Sequence, residues 1–248
     1  MSADITVEVT AHVAVVEMHR PPANFFDEEL LKEIADAFDT IERDADVRSI
    51  VLCSEGKHFC AGAQLGEMTG DGIRRVYAQA LRLFQGRRPV VAAVQGAAVG
   101  GGLGLALAAD FRVASPTTRF TANFARLGFH QGFGLSVTLP SVVGRQRALD
   151  MLYTGRDVSG DEALTIGLAD RLADDPRETA FELATQLAAS APLSVAAIRT
   201  TMQRELLAEL AAALDAEATA QAALLPTADF REGLDAARNR RTPVFTGA

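Results

Sequence analysis

The chain has 248 residues, 48% hydrophobic and 23% charged, the balance of a globular protein that can bury a sizeable core. Its formal charge of −8 and the lack of clustered lysine and arginine exclude a chain built to track a phosphate backbone, so no nucleic acid partner is expected. The opening MSADITVEVT has no basic-then-apolar leader, which sets a cytoplasmic location as the expectation; Cys53 and Cys60, even with His58 between them, fit no common zinc spacing, so reduced thiols and no metal are expected.

Alternation in ITVEVT and AHVAVVEMHR predicts two antiparallel strands joined by a tight turn. DEELLKEIADAFDTIERD then places Leu30, Leu31, Ile34, Ala37, Phe38 and Ile41 on one helical stripe opened by Asp27. VRSIVLCS reads as a buried strand, residues 72–85 as a helix and 89–94 as another buried strand. Residues 96–99 read as a turn, 100–109 as a helix rich in alanine and leucine, and FRVAS as a strand. Strands and helices alternating at short spacing predict parallel βαβ layers. Beyond about residue 144 the pattern is mostly helical, with Pro176, Pro192 and Pro226 as first-turn residues or interruptions. There ELLAELAAALDAEATAQAALL carries more apolar surface than a monomer readily covers, which fits a self-association face or a helical cap.

Residues 90–109 are long enough to span a bilayer, and Gly96 and Gly100 have the GxxxG spacing of packed membrane helices. The strand, turn and short helix read within that stretch, and its small-residue composition, argue against a span, so no membrane partner is expected.

Gly100, Gly101 and Gly102 follow a buried strand and open the helix. A helix start presents unpaired N–H groups and a partial positive charge, and glycine removes the side chain that would hold a ligand off. The triplet therefore suggests a place where an anion or developing oxyanion meets backbone donors; glycines that merely allow close helix–strand packing are the other reading. Neither GxxxxGK[ST] nor a strand-following GxGxxG is present, so nucleotide versions fit poorly. A second small-residue turn, Ala61, Gly62 and Ala63 in GKHFCAGAQL, follows the strand SIVLCS, and the two strand ends could aim N–H groups at one carbonyl oxygen.

Through RPPANFF, VRSIVLCSEGKHFCAGAQL, RPVVAAVQGAAVGGGLGLALAADFRVAS, RF, LTIGLADRL and RRTPVFTG, in that order along nearly the whole chain, the sequence resembles the enoyl-CoA hydratase/isomerase family, the crotonase superfamily. The resemblance implies an α/β fold: a crotonase-like ββα spiral core with the thioester site over residues 1–190, and a C-terminal helical trimerisation region over 191–248. It implies a homotrimer or dimer of trimers. It further implies that Ala63 and Gly101 donate the two backbone N–H groups that hold a thioester oxygen. An acyl-coenzyme A would lie bent between the loop at 23–26, the turn at 61–65 and the glycine helix, with Ala23, Phe25, Ala61, Gln64, Leu65, Val99, Phe124, Leu127 and Gly132 as binding residues. Coenzyme A then arrives as part of the substrate, with no tightly bound cofactor. Two preorganised donors suit the enolate formed when a thioester loses an α-proton or its conjugated double bond takes up water.

Hydration in this family uses two glutamates. Aligned on GGG the first falls on Gly104; aligned on RF and the later glycine the second falls on Phe124; a third position, acidic in some relatives, falls on Gly132. General acids and bases must lie within hydrogen-bond reach of the proton they move, so distant carboxylates do not substitute freely and two-glutamate hydration is not expected. A drier pocket lined by Phe25, Phe26, Phe124, Phe129 and Phe133 is one expectation, and plain core packing of these rings is the other. His130 is the candidate acid or base, with Gln131 beside it to hold a water or carbonyl; an ordinary loop histidine is the alternative. Glu67 is a second candidate acid, or a solvated helix residue, and Arg20, Arg87 and Arg88 are candidate phosphate contacts, or solvated charges. The expected function is a lyase- or isomerase-type enzyme of acyl-CoA, as in fatty acid metabolism, that stabilises an enolate. Decarboxylation, hydrolysis and binding without turnover stay open.

Overall fold

The computed structural model describes residues 4–64 and 69–248. β1 (Ile5–Thr10) and β2 (Val13–Met18) pair antiparallel, with Thr10 opposite Val13. Ala11 and His12 between them have φ of 51° and 67°, the left-handed pair that lets a two-residue turn follow the right-handed twist of its strands. In α1 (Glu28–Ile41) the Asp27 side chain accepts from the Leu30 N–H, and the predicted stripe is buried at Leu30, Leu31, Ile34, Phe38 and Ile41.

β3 (Ser49–Ser54), α2 (Gly70–Phe84) and β4 (Val90–Val94) continue the βαβ pattern. The stretch read as a turn at 96–99 instead contains β5 (Ala97–Val99). It pairs parallel with β7 (Arg119–Thr121), a partner distant in sequence, so the local glycines gave no sign of it. Between them lie α3 (Gly101–Leu107), shorter than the expected helix, and β6 (Phe111–Ala114). Residues 90–109 thus divide into two strands and a helix, and among the described residues no single helix is long and apolar enough to cross a membrane.

After a 3₁₀ turn at Asn123–Leu127 come α4 (Leu135–Val143), α5 (Arg145–Thr154), β8 (Asp157–Ser159), α6 (Gly160–Ile166) and β9 (Arg171–Leu172). The last two strands lie in the part read as mostly helical, because strands of three and two residues are too short to show alternation. α7 (Pro176–Ala188), α8 (Pro192–Leu224) and α9 (Ala228–Arg238) complete the chain, with Pro176 and Pro192 in first turns.

The six-stranded sheet runs β1-β2-β3-β4-β6-β9, parallel except for β1, and β5-β7-β8 form a smaller sheet. Alternation sorts the large sheet into two faces. Val13, Val51, Cys53, Val91, Ala93 and Val113 meet Ala180, Leu183, Ala184 and Ala188 of α7. Ala14, Val16, Ile50, Leu52, Ala92 and Val94 face the main core, which carries the site. With both faces covered, every residue of β3 is buried. The Asp110 carboxylate anchors α8 to this sheet, accepting from Val90 N–H, Arg199 and Gln203, each at 2.8 Å at its nearest. Burial pushes the Cys53 and Cys60 thiols up to about 12, which keeps both as neutral packing groups at ordinary pH.

Candidate active site

The two predicted turns come together at one cavity of about 1000 Å³. At the first, Phe26 pairs in parallel fashion with Ala63: Phe26 N–H donates to Gly62 O at 3.0 Å and Gln64 N–H donates to Phe26 O at 3.0 Å. Such a bridge uses the neighbours of residue 63 and leaves the Ala63 N–H directed away from it. At the second, Val99 N–H donates to Cys60 O and Gly100 N–H to Thr121 O, so Gly101 is the first residue of α3 with no preceding turn to bond. Among the described residues, neither Ala63 N–H nor Gly101 N–H has a protein acceptor. The turns touch: a Cβ added at Gly62 would lie 2.9 Å from Val99 O and 3.8 Å from Gly101 N.

The glycine triplet serves packing and donor geometry at once. Gly100 has φ 56° and ψ −119°, a conformation closed to ordinary side chains. At Gly102 a Cβ would sit 2.1 Å from Cys60 O, so the close approach of strand and helix requires glycine.

The space beside Gly104 and Gly132 is filled by other parts of the protein. A Cβ at Gly104 would lie 2.5 Å from Phe133 Cβ, and one at Gly132 would lie 1.7 Å from the Tyr77 hydroxyl oxygen. Phe133, held at φ 62° and 1% exposed, packs edge-on against Phe26 with ring centroids 5.4 Å apart. Phe124 itself lines the cavity, as do Phe25, Phe26, Phe129 and Phe133. The wall around Gly104, Phe124 and Gly132 is therefore aromatic.

Of the residues expected to bind substrate, Phe25, Ala61, Ala63, Gln64, Val99, Gly101, Phe124, Leu127 and Gly132 line the cavity. Ala23 does not; its carbonyl accepts from Ala61 N–H at 2.9 Å and so shapes the loop behind the wall. Leu65 and Glu67 lie outside the described residues. His130 is also absent from the lining: its Nδ1 sits 2.7 Å from Gln131 O, and its own carbonyl accepts from Gln221 Nε2 at 2.8 Å. Gln131 donates to Ser136 Oγ.

Two polar side chains not expected at the cavity also line it, Tyr77 from α2 and Gln221 from α8. Tyr77 Oη donates to Gln221 Oε1 at 2.6 Å, and burial pushes the phenol pKa far up, so it stays protonated. One helical turn before Gln221, Glu217 accepts from Gly134 N–H at 2.7 Å and Ser136 N–H at 2.8 Å. Burial raises its pKa despite those bonds. Sequence reasoning missed this pair because its members are 144 residues apart and each sits on an ordinary amphipathic helix.

The arginines differ from expectation as well. Arg20 pairs with Asp4 and Asp27, Arg87 pairs with Glu42, and Arg88 donates to the Asp44 carbonyl; none lines the cavity. Arg119, Arg238 and Arg240 do, because β7 and the end of α9 converge at the cavity. Among the described residues no cluster of three or more histidine, cysteine or carboxylate side chains could hold a metal.

A sequence model of the enoyl-CoA hydratase/isomerase family matches residues 8–248. The chain is 32% identical over 253 residues to the short-chain-enoyl-CoA hydratase of Clostridium acetobutylicum, covering 96% of this chain and 95% of that one. It is 31% identical over 257 residues to the 1,2-epoxyphenylacetyl-CoA isomerase of Escherichia coli, covering 98% of each. The crystal structure of an enoyl-CoA hydratase from Mycobacterium avium subsp. paratuberculosis superposes with a TM-score of 0.88 at 30% identity, over 98% of this chain and 99% of that one. An enoyl-CoA hydratase/isomerase from Pseudoalteromonas atlantica gives 0.90 at 29% identity, over 98% and 100%. With match, fold and paired turns extending over nearly its whole length, the chain belongs to the enoyl-CoA hydratase/isomerase family, the crotonase superfamily.

Proposed function

We propose that this protein binds an acyl-coenzyme A thioester in the 1000 Å³ cavity and stabilises its enolate between Ala63 N–H and Gly101 N–H, without the two-carboxylate hydration chemistry of its family. The observation that carries the reading is the pair of acceptor-free backbone donors brought together at one cavity. Loss of an α-proton or of carbon dioxide leaves an electron pair that delocalises onto the thioester oxygen. Donors held by the fold meet that charge without reorganising, and removing one such donor typically costs about 10²–10³ in rate. Hydration also needs groups that activate water and deliver a proton, and at the family's positions stand Phe124, the Phe133 ring over Gly104 and the Tyr77 hydroxyl over Gly132.

Arg119, Arg238 and Arg240 suit the phosphates of coenzyme A at the cavity mouth. Ile198 and Met202, four residues apart on the first half of α8, are exposed, an apolar strip that suits the family's assembly as a homotrimer or dimer of trimers.

The test is mass spectrometry of the purified protein with saturated, unsaturated and malonyl-type acyl-CoAs in heavy water. Deuterium at the α-carbon or loss of carbon dioxide, with little added water, is the expected result. Rapid hydration would refute the stated departure from the family, and an unchanged panel despite thioester binding would make this a binding protein.

A further inference from the structure

Resting on the thioester site just described, we propose that Tyr77 and Gln221 form a recognition point for a hydroxyl group carried on the acyl chain. The same cavity is lined by Ile73, Val76, Phe26 and Phe133, so the pair brings polar atoms to a lining rich in apolar side chains. Tyr77 is 8% exposed and Gln221 3%.

The hydrogen bonds have a fixed direction. The His130 carbonyl can only accept, so the amide nitrogen of Gln221 must face it and the amide oxygen must face Tyr77. Tyr77 is thereby obliged to donate its proton to Gln221, and burial keeps that proton in place. The Phe133 backbone supplies a further hydrogen bond to the phenol. What stays unused is one lone pair on the Tyr77 oxygen and one N–H of Gln221. Both residues line the cavity, and the Gly132 backbone packs beside them, since a Cβ there would come 1.7 Å from Tyr77 Oη and 2.7 Å from Gln221 Nε2.

A hydroxyl matches that vacancy because it donates and accepts. It gives its proton to the phenol oxygen and takes the Gln221 N–H. A ketone oxygen accepts only and serves half of the pair. A carboxylate also lacks a proton to give and would approach Glu217, which lies one turn away on the same face of α8 and bonds Gly134 N–H. A hydrocarbon chain would cover both polar groups and leave them unpaired, the arrangement by which buried sites reject analogues lacking a hydroxyl.

The experiment is calorimetric titration of the full-length protein with butanoyl-, hexanoyl- and octanoyl-CoA and with their 3-, 4- and 5-hydroxy counterparts. At least one hydroxylated ester should bind about tenfold more tightly than its parent, the effect of about 1.4 kcal/mol expected of hydrogen bonds to a neutral group. Tyr77→Phe should remove that gain, so that each hydroxylated ester and its parent bind within about twofold of each other. Should the single variant unfold because the Gln221 oxygen is left unpaired, Tyr77→Phe with Gln221→Met removes donor and acceptor together and should give the same loss of preference. Equal binding of every hydroxylated ester and its parent, or a gain that persists in the variants, would overturn the inference and leave the thioester site intact. Failure of every ester to bind would overturn the thioester site itself.

Discussion

The two turns at Ala63 and Gly101 and the aromatic wall facing the same cavity are made from different material. The turns present main-chain N–H groups that the Phe26–Ala63 bridge and the start of α3 hold in place. The wall acts through side chains, and its positions are coupled: Phe133 stands over Gly104, and Tyr77 stands over Gly132. Backbone donors persist wherever the fold persists, whereas acid/base groups change with single residues and their neighbours can close over the gap. A glycine at position 104 or 132 is thus one half of a repacked pair, and replacing it with a carboxylate would meet an occupied space.

The sharpest way to break this comparison is to remove one donor without touching the wall. Ala63→Pro deletes the N–H while keeping both bonds of the bridge, which belong to Phe26, Gly62 and Gln64. The expected loss in α-deuterium exchange is about 10²–10³, or about 2.7–4 kcal/mol, with thioester affinity little changed. A variant that folds and exchanges at the parent rate would remove Ala63 from the mechanism.

The next effect tests the wall alone. Gly104→Ala should destabilise the fold by about 1–3 kcal/mol in denaturant titration, because its Cβ meets that of Phe133. Since the clash is with a Cβ, Phe133→Ala leaves it in place, while in a Phe133→Gly background the cost of Gly104→Ala should fall by more than half. Equal costs in the two backgrounds would show that the residues are not coupled.

The smallest expected effect is a pH slope behind the wall. Burial raises the folded-state pKa of Glu217 above its ordinary 4.5, so the folded protein holds this proton more tightly than the unfolded chain. Its contribution to stability is full below about pH 4.5 and is lost as pH rises through the folded value. Glu217→Gln cannot titrate, so the stability of the parent relative to this variant should fall with rising pH in that window. A constant difference in urea unfolding would contradict the assignment.

Much of the framework was legible from local pattern. The hairpin, the Asp27-capped α1, the buried β3 and β4 and the first-turn prolines follow from alternation, helical stripes and capping chemistry. β5, β8 and β9 were not legible, since strands of three, three and two residues exist only through partners far along the chain. At the site, the small-residue turns marked the places of Ala63 and Gly101 because glycine at a strand end or helix start is a local requirement. His130 looked chemical for its imidazole and its place in sequence near the expected carboxylate positions, yet it is absent from the cavity lining, and its backbone carbonyl accepts from Gln221. Arg20, Arg87 and Arg88 illustrate the same limit: an isolated arginine carries no sign of which carboxylate will claim it.

By itself, then, the sequence determined the family, the βαβ order, the two small-residue turns and the glycines at positions 104 and 132, because each is written in neighbouring residues. Tertiary structure alone decided what fills those positions. Phe133 reaches Gly104, Tyr77 reaches Gly132, and Gln221 meets Tyr77 from the C-terminal helix 144 residues away. These are contacts between elements whose separate patterns specify only a buried face, and which side chain meets which is fixed only when the helices pack.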